Sequence, residues 1–228
     1  GVIKGIEKAL PLFHEQGLFP FANLGINRNT GGKWDEIIRG RELDREGFYR
    51  LFRESFDRFY GFVSGLGFTI ANACYPMSIQ TSGNDALETA YGASSADRVV
   101  SFTPAEKAAL FRALYDTIAL WRGSLRIFTP RTNLYTLSKE YATGEVRSFP
   151  CRGGLDYFFI TAQEGDTFPC GFRGRERLGK FWEMAERRPQ GEAWCRDCDW
   201  ECFRDPSELL GPLLELRKGP YKLFKRWR

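Results

Sequence analysis

Histidine is almost absent from this 228-residue sequence, in which His14 is the only one. Zinc sites that mix cysteine and histidine ligands are therefore not expected, and any zinc bound here would be held by thiolates alone. The sequence also has no apolar run of transmembrane length and no signal-peptide pattern. This absence argues against structural disulfides and predicts a cytoplasmic protein without a membrane span. No internal repeat or low-complexity segment is visible.

A strong net charge is also lacking, since the formal net charge is only +4 at pH 7. The excess is local, because residues 217–228 contain six basic residues and no acidic one, interleaved with Tyr221, Phe224 and Trp227. Such a segment can contact nucleic acid, an acidic peptide or a membrane surface, but a solvated or packed terminus is the commoner case. Nucleic acid is therefore not an expected partner. With 43% apolar and 15% aromatic residues, the chain can bury a substantial core.

What the sequence does contain is a spaced array of five cysteines in its last third: Cys151, Cys170, Cys195, Cys198 and Cys202. Thiolates at such short separations are typical metal ligands. Disulfides are one interpretation, but an odd number of cysteines disfavours them. A structural zinc ion with four thiolates is a second. An iron–sulfur cluster is the third, favoured by the tight C-x2-C-x3-C triplet, because neighbouring thiolates must reach different corners of one cubane.

Hydrophobic periodicity predicts alternating helices and strands upstream of this array. Strands are expected over residues 18–26, 67–75 and 125–128. Helices are expected over residues 2–16, 46–64 and 133–143, with another opened by a capping box at Thr103 and Glu106. This order predicts an α/β fold with a parallel sheet or barrel.

Two further local signals follow downstream. β-Rich runs flank Gly165-Asp166, which predicts a hairpin that brings Cys151 and Cys170 to one end of a ribbon. The segment Asp205-Pro206-Ser207-Glu208 predicts the start of a final helix.

The first predicted strand carries amides on one of its two faces. Alternation along a strand places Ala22, Leu24 and Ile26 on an apolar face, and Asn23, Gly25 and Asn27 on a polar face. A polar strand face packs poorly in an apolar core, but it is suitable for contact with a bound polar ligand. The equally weighted alternative is that these asparagines satisfy backbone groups at the end of the strand.

The spacing of Cys151, Gly165 and Cys170 resembles the opening of the auxiliary-cluster module of radical S-adenosylmethionine enzymes, which is called SPASM in its full form and Twitch in its shortened form. That module begins with a cysteine followed at a distance by G-x4-C. Its later segments are matched by Leu178-Gly179-Lys180 and by Cys195-x2-Cys198, with Cys202 beyond. Five cysteines are fewer than a two-cluster module carries. The resemblance therefore implies one auxiliary 4Fe-4S cluster, held by four of the five cysteines, without indicating which one is spare.

Residues 19–29 similarly resemble the fifth barrel strand of these enzymes, which lies beside S-adenosylmethionine. Asn23, Asn27, Arg28 and Asn29 match its polar positions. The resemblance implies that Asn23, Asn27 and Arg28 bind this cofactor. The run that ends at Cys74, Tyr75 and Pro76 resembles the end of the sixth strand. Cys74 could then face the active site, although a lone strand cysteine is more often buried in the core.

One departure is large, because the CxxxCxxC motif that holds the catalytic cluster of these enzymes is absent. We therefore expect residues 1–148 to be the C-terminal half of a partial (β/α) barrel. Residues 149–205 are predicted to be the SPASM/Twitch-like domain, and residues 206–228 a helix with a basic tail. A C-terminal fragment that does not cleave S-adenosylmethionine by itself is favoured over a paralogue that has lost its catalytic half.

The resemblance implies an intact enzyme that binds S-adenosylmethionine and a second 4Fe-4S cluster. It would form a 5′-deoxyadenosyl radical and abstract hydrogen from a peptide or small-molecule substrate. The auxiliary cluster would transfer an electron or bind the substrate, and a flavodoxin or ferredoxin is the implied electron donor. The alternative, from a different functional class, is a non-catalytic zinc-ribbon binding module whose ligands are all cysteines.

Overall fold

The structure, a computed structural model, describes residues 1–32, 44–76, 99–187 and 189–218, which form two units. The first unit contains the described residues up to Arg147, and the second begins at Ser148. Five α-helices and two small sheets are present among the described residues, which confirms the predicted α/β class.

The first unit alternates strands and helices around a parallel sheet of three strands. The strands are β1 (Phe21–Gly25), β2 (Ile70–Cys74) and β3 (Arg126–Ile127), and they lie side by side in chain order. The helices are α1 (Val2–Glu15), α2 (Arg45–Gly65), α3 (Pro104–Trp121) and α4 (Arg131–Thr143), with a short 3-10 helix at Arg28–Gly31. Sequential parallel strands joined by helices are the building plan of barrels and of open α/β sheets. In the part of the chain that the structure describes, the sheet is open and no barrel closes.

The core of this unit is built on the aromatic stripe of α2. Phe48, Phe52, Phe56 and Tyr60 recur every four residues and are fully or almost fully buried. Phe48 and Phe52 stack with their ring centroids 4.6 Å apart. Asp44 caps the helix by accepting a hydrogen bond from Gly47 N at 2.6 Å. The helix predicted over residues 46–64 is therefore confirmed, and its buried aromatic face packs against α3.

Helix α3 begins as predicted, because Thr103 and Glu106 form a reciprocal capping box and Pro104 occupies its first turn. On the sheet, Ala71 and Ala73 of β2 are buried in the same core as α2 and α3. Alternation along the strand then places Asn72 and Cys74 on the opposite face of the sheet. The sheet is thus covered by helices on the face that carries the alanines.

Glu106 also accepts a bidentate pair of hydrogen bonds from Arg28, at 2.9 and 2.8 Å. Burial raises the pKa of this carboxyl, but hydrogen bonds from Arg28 and Thr103 together outweigh burial, so its pKa lies below its usual value of 4.5. A carboxyl whose pKa is depressed by folding stabilises the protein above its unfolded pKa, and that stabilisation is lost as the pH falls through the folded pKa.

We expect Glu106→Gln to lower the free energy of unfolding at pH 7 by about 1–2 kcal/mol, because a charge-assisted pair is replaced by weaker hydrogen bonds. The loss should shrink as the pH falls through the lowered pKa of the native carboxyl, which then becomes protonated as well. Urea unfolding at pH 7 and at an acidic pH below that pKa measures the difference. Glu54→Gln is the control, because Glu54 is an exposed residue that lies 4.0 Å from Arg58. A loss at Glu106 that is the same at both pH values would contradict this account.

The second unit contains a small antiparallel sheet and a long terminal helix. The strands are β4 (Phe159–Ile160), β5 (Asp166–Phe168) and β6 (Gly179–Lys180), followed by a 3-10 helix at Phe181–Glu183 and by α5 (Glu201–Lys218). The predicted hairpin is present as β4 and β5. Gly165 lies in its turn with φ 65°, a backbone conformation that favours glycine.

The predicted start of the last helix is wrong. Helix α5 begins at Glu201, so Asp205-Pro206-Ser207-Glu208 lies inside it, with Pro206 as an interior residue. A local Asp-Pro-Ser-Glu pattern can begin a helix, but tertiary contacts of the preceding turn override it. Phe203 in that turn is buried among the cysteines of this unit. The basic segment beyond Lys218 lies outside the described residues.

Candidate functional site

Four of the five cysteines of the array lie together in the second unit. Cys151, Cys170 and Cys195 are buried in one cluster, and Cys198 packs against them. Cys202 lies on the first turn of α5, is exposed, and is not a member of this group. The array spacing left open which cysteine is spare, and the structure sets Cys202 apart.

The four cysteines come from two separate segments that the fold brings together. Cys151 and Cys195 face each other in an antiparallel bridge, with Cys151 N donating to Cys195 O at 2.7 Å. Cys170 follows strand β5 by two residues, and Cys198 follows Cys195 in the later loop. The hairpin segment and the loop thus meet at the cysteines.

Aromatic side chains form the wall around the thiols. Phe172 and Phe203 are buried with the cysteines, and Trp200 packs against them. The Trp200 ring lies 5.0 Å from both the Phe172 and the Phe203 rings, measured between centroids. A wall of this kind limits the access of water and lowers the local dielectric, which are two ways in which a protein tunes a metal centre.

The glycines after Cys151 allow a close approach of the chain to Pro169. A Cβ atom on Gly153 would lie 2.9 Å from the carbonyl oxygen of Pro169, and Gly154 adopts φ 88°. The Gly153 amide also lies 3.4 Å from the Cys151 sulfur, to which it donates. Side chains at these two positions would push apart the segments that carry Cys151 and Cys170.

Burial also shapes the chemistry of the thiols. It raises the pKa of Cys195 to about 12 and raises the pKa values of Cys170 and Cys198 as well. The neighbouring Cys151 adds to each of these increases through charge repulsion. Without a bound cation these thiols are therefore protonated at neutral pH, and binding of a metal must release their protons.

A cavity of about 190 Å³ reaches two of the four thiols. Cys151 and Cys195 line it together with Gly153, Arg173 and the exposed Trp194. The Arg173 guanidinium stacks over the Trp194 ring at 4.8 Å and is hydrogen-bonded to Glu176. A metal group held by the four cysteines would therefore be open to a small molecule on this side.

Among the described residues, no group of three or more His, Cys, Asp or Glu side chains is placed so that it could hold a metal ion. A tetrahedral zinc ion requires four sulfurs at about 2.3 Å from one point. A 4Fe-4S cubane takes one thiolate at each of four iron corners, so its ligands surround a larger volume. Thiolates are the donors of both groups, so the ligand chemistry of the four cysteines is compatible with either.

The three residues predicted to bind S-adenosylmethionine lie in the first unit, in two different environments. Asn23 is exposed, on the face of the sheet opposite the buried alanines of β2. Its amide donates to the sulfur of Cys74 at 3.1 Å and accepts from Asn72 at 3.4 Å. Asn72 in turn accepts a hydrogen bond from Thr129 at 3.1 Å.

Sequence reasoning missed Asn72 and Thr129. The available signal was the repetition of Ala-Asn in β1 and β2, where Ala22-Asn23 and Ala71-Asn72 occupy matching positions in the register. Once two parallel strands carry asparagine at the same register, both amides lie on the same face. Cys74 lies beside them and is half-buried, so it is not the fully buried core residue that its residue type favours.

Asn27 and Arg28 have partners within the protein. The Asn27 side chain caps the short 3-10 helix by accepting from Asn29 N at 2.9 Å, and it donates to Gly25 O at 3.2 Å. Arg28 binds Glu106 and donates from Nε to Ser101 O at 2.9 Å. Asn27 therefore satisfies backbone groups at the end of the strand, which is the alternative to ligand binding given above. Asn23 instead bonds to side chains. A ligand at Arg28 would have to compete with Glu106.

No protein-family model, curated protein or solved structure matches this chain significantly. In the described part of the chain, none of the helices has the length and apolar character needed to cross a membrane.

Proposed function

We propose that this chain is the C-terminal part of a radical S-adenosylmethionine enzyme, and that its second unit holds an auxiliary 4Fe-4S cluster. The observation that carries the proposal is the grouping of Cys151, Cys170, Cys195 and Cys198 from two distant segments. Four thiols are the ligand set of such a cluster. The match of Cys151, Gly165 and Cys170 to the opening of the SPASM/Twitch module supports the assignment.

The roles of the surrounding residues follow from their positions. Phe172, Phe203 and Trp200 would shield the cluster from water, and the Arg173 cation beside the thiols would favour their charged forms, as its interactions with Cys170 and Cys195 indicate. The cavity at Cys151 and Cys195 would admit a small substrate, whereas an electron donor of the flavodoxin or ferredoxin type would dock at the surface of the protein. When bound, the auxiliary cluster would supply electron transfer or a site for substrate binding.

The first unit would contribute to the binding of S-adenosylmethionine in the intact enzyme, which also holds a second 4Fe-4S cluster. The exposed amide of Asn23, joined to Asn72 and Cys74 on the face of the sheet opposite the buried alanines, supports this part of the proposal. Asn27 and Arg28 would act chiefly by shaping the turn after β1. The substrate would be a peptide side chain or a small cofactor precursor.

The proposal is tested by metal analysis after anaerobic reconstitution with iron and sulfide. We expect a brown protein with about four iron and four sulfide per chain, because one cubane occupies the four cysteines. The competing function, an all-cysteine zinc-ribbon binding module, predicts a colourless protein with about one zinc per chain. That second result would overturn the proposal.

A further inference from the structure

The segment that carries Cys151 is held by side chains of helix α5 rather than by a neighbouring strand over most of its length. Phe149 N donates to the Glu208 carboxylate, and Arg204 Nη1 donates to Phe149 O at 3.1 Å. Arg152 N donates to Ser207 Oγ at 2.9 Å. These three side chains lie on consecutive turns of one helix, and they bind the main chain on both sides of Cys151.

These side chains are buried at a cost. Arg204 is 1% exposed, and Ser207 and Glu208 are 1% and 5% exposed. The Arg204 Nε has no hydrogen-bond partner among the described residues. Buried charges are expensive to desolvate, and apolar residues of similar volume often pack as well or better. A helix that only had to cover this unit would be served by leucines, so the polar residues contribute something that apolar packing does not.

The polar side chains of α5 fix the orientation of the main chain that they bind. Hydrogen bonds fix the orientation of a peptide group, whereas apolar contacts allow it to slide. The main chain is bound at Phe149 and at Arg152, and the Cys151 amide itself donates to Cys195 O. Hydrogen bonds on both sides of Cys151 therefore fix the direction in which its side chain points.

We propose that Arg204, Ser207 and Glu208 are positioning residues that orient Cys151 toward the other three thiols. The reason for orienting Cys151 rests on the proposed function. The hydrogen bonds that orient it are present in the metal-free chain as well. Residues that hold a ligand in place without touching the metal commonly change affinity as strongly as some ligands do.

The test compares Glu208→Met, which removes the hydrogen-bond acceptor, with Glu208→Gln, which keeps one. In the metal-free, reduced full chain, alkylation of each cysteine by iodoacetamide is followed by mass spectrometry. We expect Glu208→Met to accelerate alkylation of Cys151 by about tenfold or more, the factor that corresponds to loss of a hydrogen bond to a charged group. Glu208→Gln should remain close to the unaltered protein. Leu213→Ala, at an exposed position on the same helix, is the matched control.

A selective effect on Cys151, with Cys170 unchanged and with rescue by glutamine, supports the positioning role. Equal acceleration at all four thiols, or no acceleration, would overturn it. If Glu208→Met unfolds the unit, Ser207→Ala removes only one acceptor and is measured in the same way. Iron retention and the electron paramagnetic resonance spectrum of the reconstituted variants provide the second readout. A wild-type chain that binds no iron would refute the proposed function and leave the alkylation result to decide the inference.

Discussion

Replacement of Cys170 by alanine should abolish binding of the auxiliary cluster, and Cys198→Ala should do the same. Cys170 belongs to the hairpin segment and Cys198 to the later loop, and the two segments meet at the group of four cysteines. Small metal-organised units draw much of their folding free energy from the metal. Loss of either ligand should therefore reduce iron from about four per chain to below one, and should leave residues 150–205 sensitive to protease.

Two other cysteines serve as matched controls for this experiment. Cys202 is exposed on α5, and Cys74 lies on β2 in the first unit, where it bonds to Asn23. Cys202→Ala and Cys74→Ala should keep the full iron content and the protease resistance of the unaltered chain. Iron quantification and limited proteolysis on the four variants decide the assignment. Full iron retention in Cys170→Ala, or full loss in Cys74→Ala, would show that the wrong cysteines had been chosen.

The largest effect on stability is expected in the aromatic core of the first unit. Phe56→Ala should lower the free energy of unfolding by about 3–5 kcal/mol, because it removes a fully buried ring and leaves a cavity. Phe56 is 0% exposed and lies 5.9 Å from the Phe52 ring, measured between centroids. A loss of this size is a large fraction of the stability of an ordinary domain.

Phe62→Ala is the control on the same helix, because Phe62 is 52% exposed. It should cost less than about 1 kcal/mol, since little apolar surface is removed from a packed environment. Urea unfolding followed by far-ultraviolet circular dichroism measures both variants, because the helices dominate that signal. Similar losses for the two variants would mean that α2 is not packed as the structure describes.

The cysteines and the amides of the proposed function lie in separate units. The thiol group is built entirely within the second unit, and the Asn23–Asn72–Cys74 network lies entirely within the first. Substitutions at the amides should therefore leave the iron content unchanged. The two halves of the proposed function can be tested independently on one chain.

Much of the fold was predictable because the decisive signals are local. The four-residue recurrence of Phe48, Phe52, Phe56 and Tyr60 predicts a helix with one buried face, and the structure has that helix. The capping box of Thr103 and Glu106 predicts the first residue of α3. The Gly165 turn predicts the β4–β5 hairpin. In each case the energetics of a few neighbouring residues favour the observed conformation.

Other features could not be predicted because their partners are distant in the sequence. The predicted start of α5 is wrong, because burial of Phe203 among the cysteines and the hydrogen bond from Arg204 to Phe149 O hold the turn that precedes Asp205. The sequence does not predict the ion pair of Arg28 with Glu106, which lies 78 positions away. Spacing alone does not reveal which acceptor an arginine will meet.

The sequence by itself determined the α/β class, the aromatic core of α2 and the presence of a thiol-rich unit, because periodicity, caps and cysteine spacing act over short distances. Only the tertiary structure decided that Cys202 stands apart from the other four thiols, that Asn72 lies beside Asn23, and that Asn27 and Arg28 bond within the protein. These outcomes depend on which segments the packed core brings within hydrogen-bonding distance, and a linear order of residues does not specify that distance.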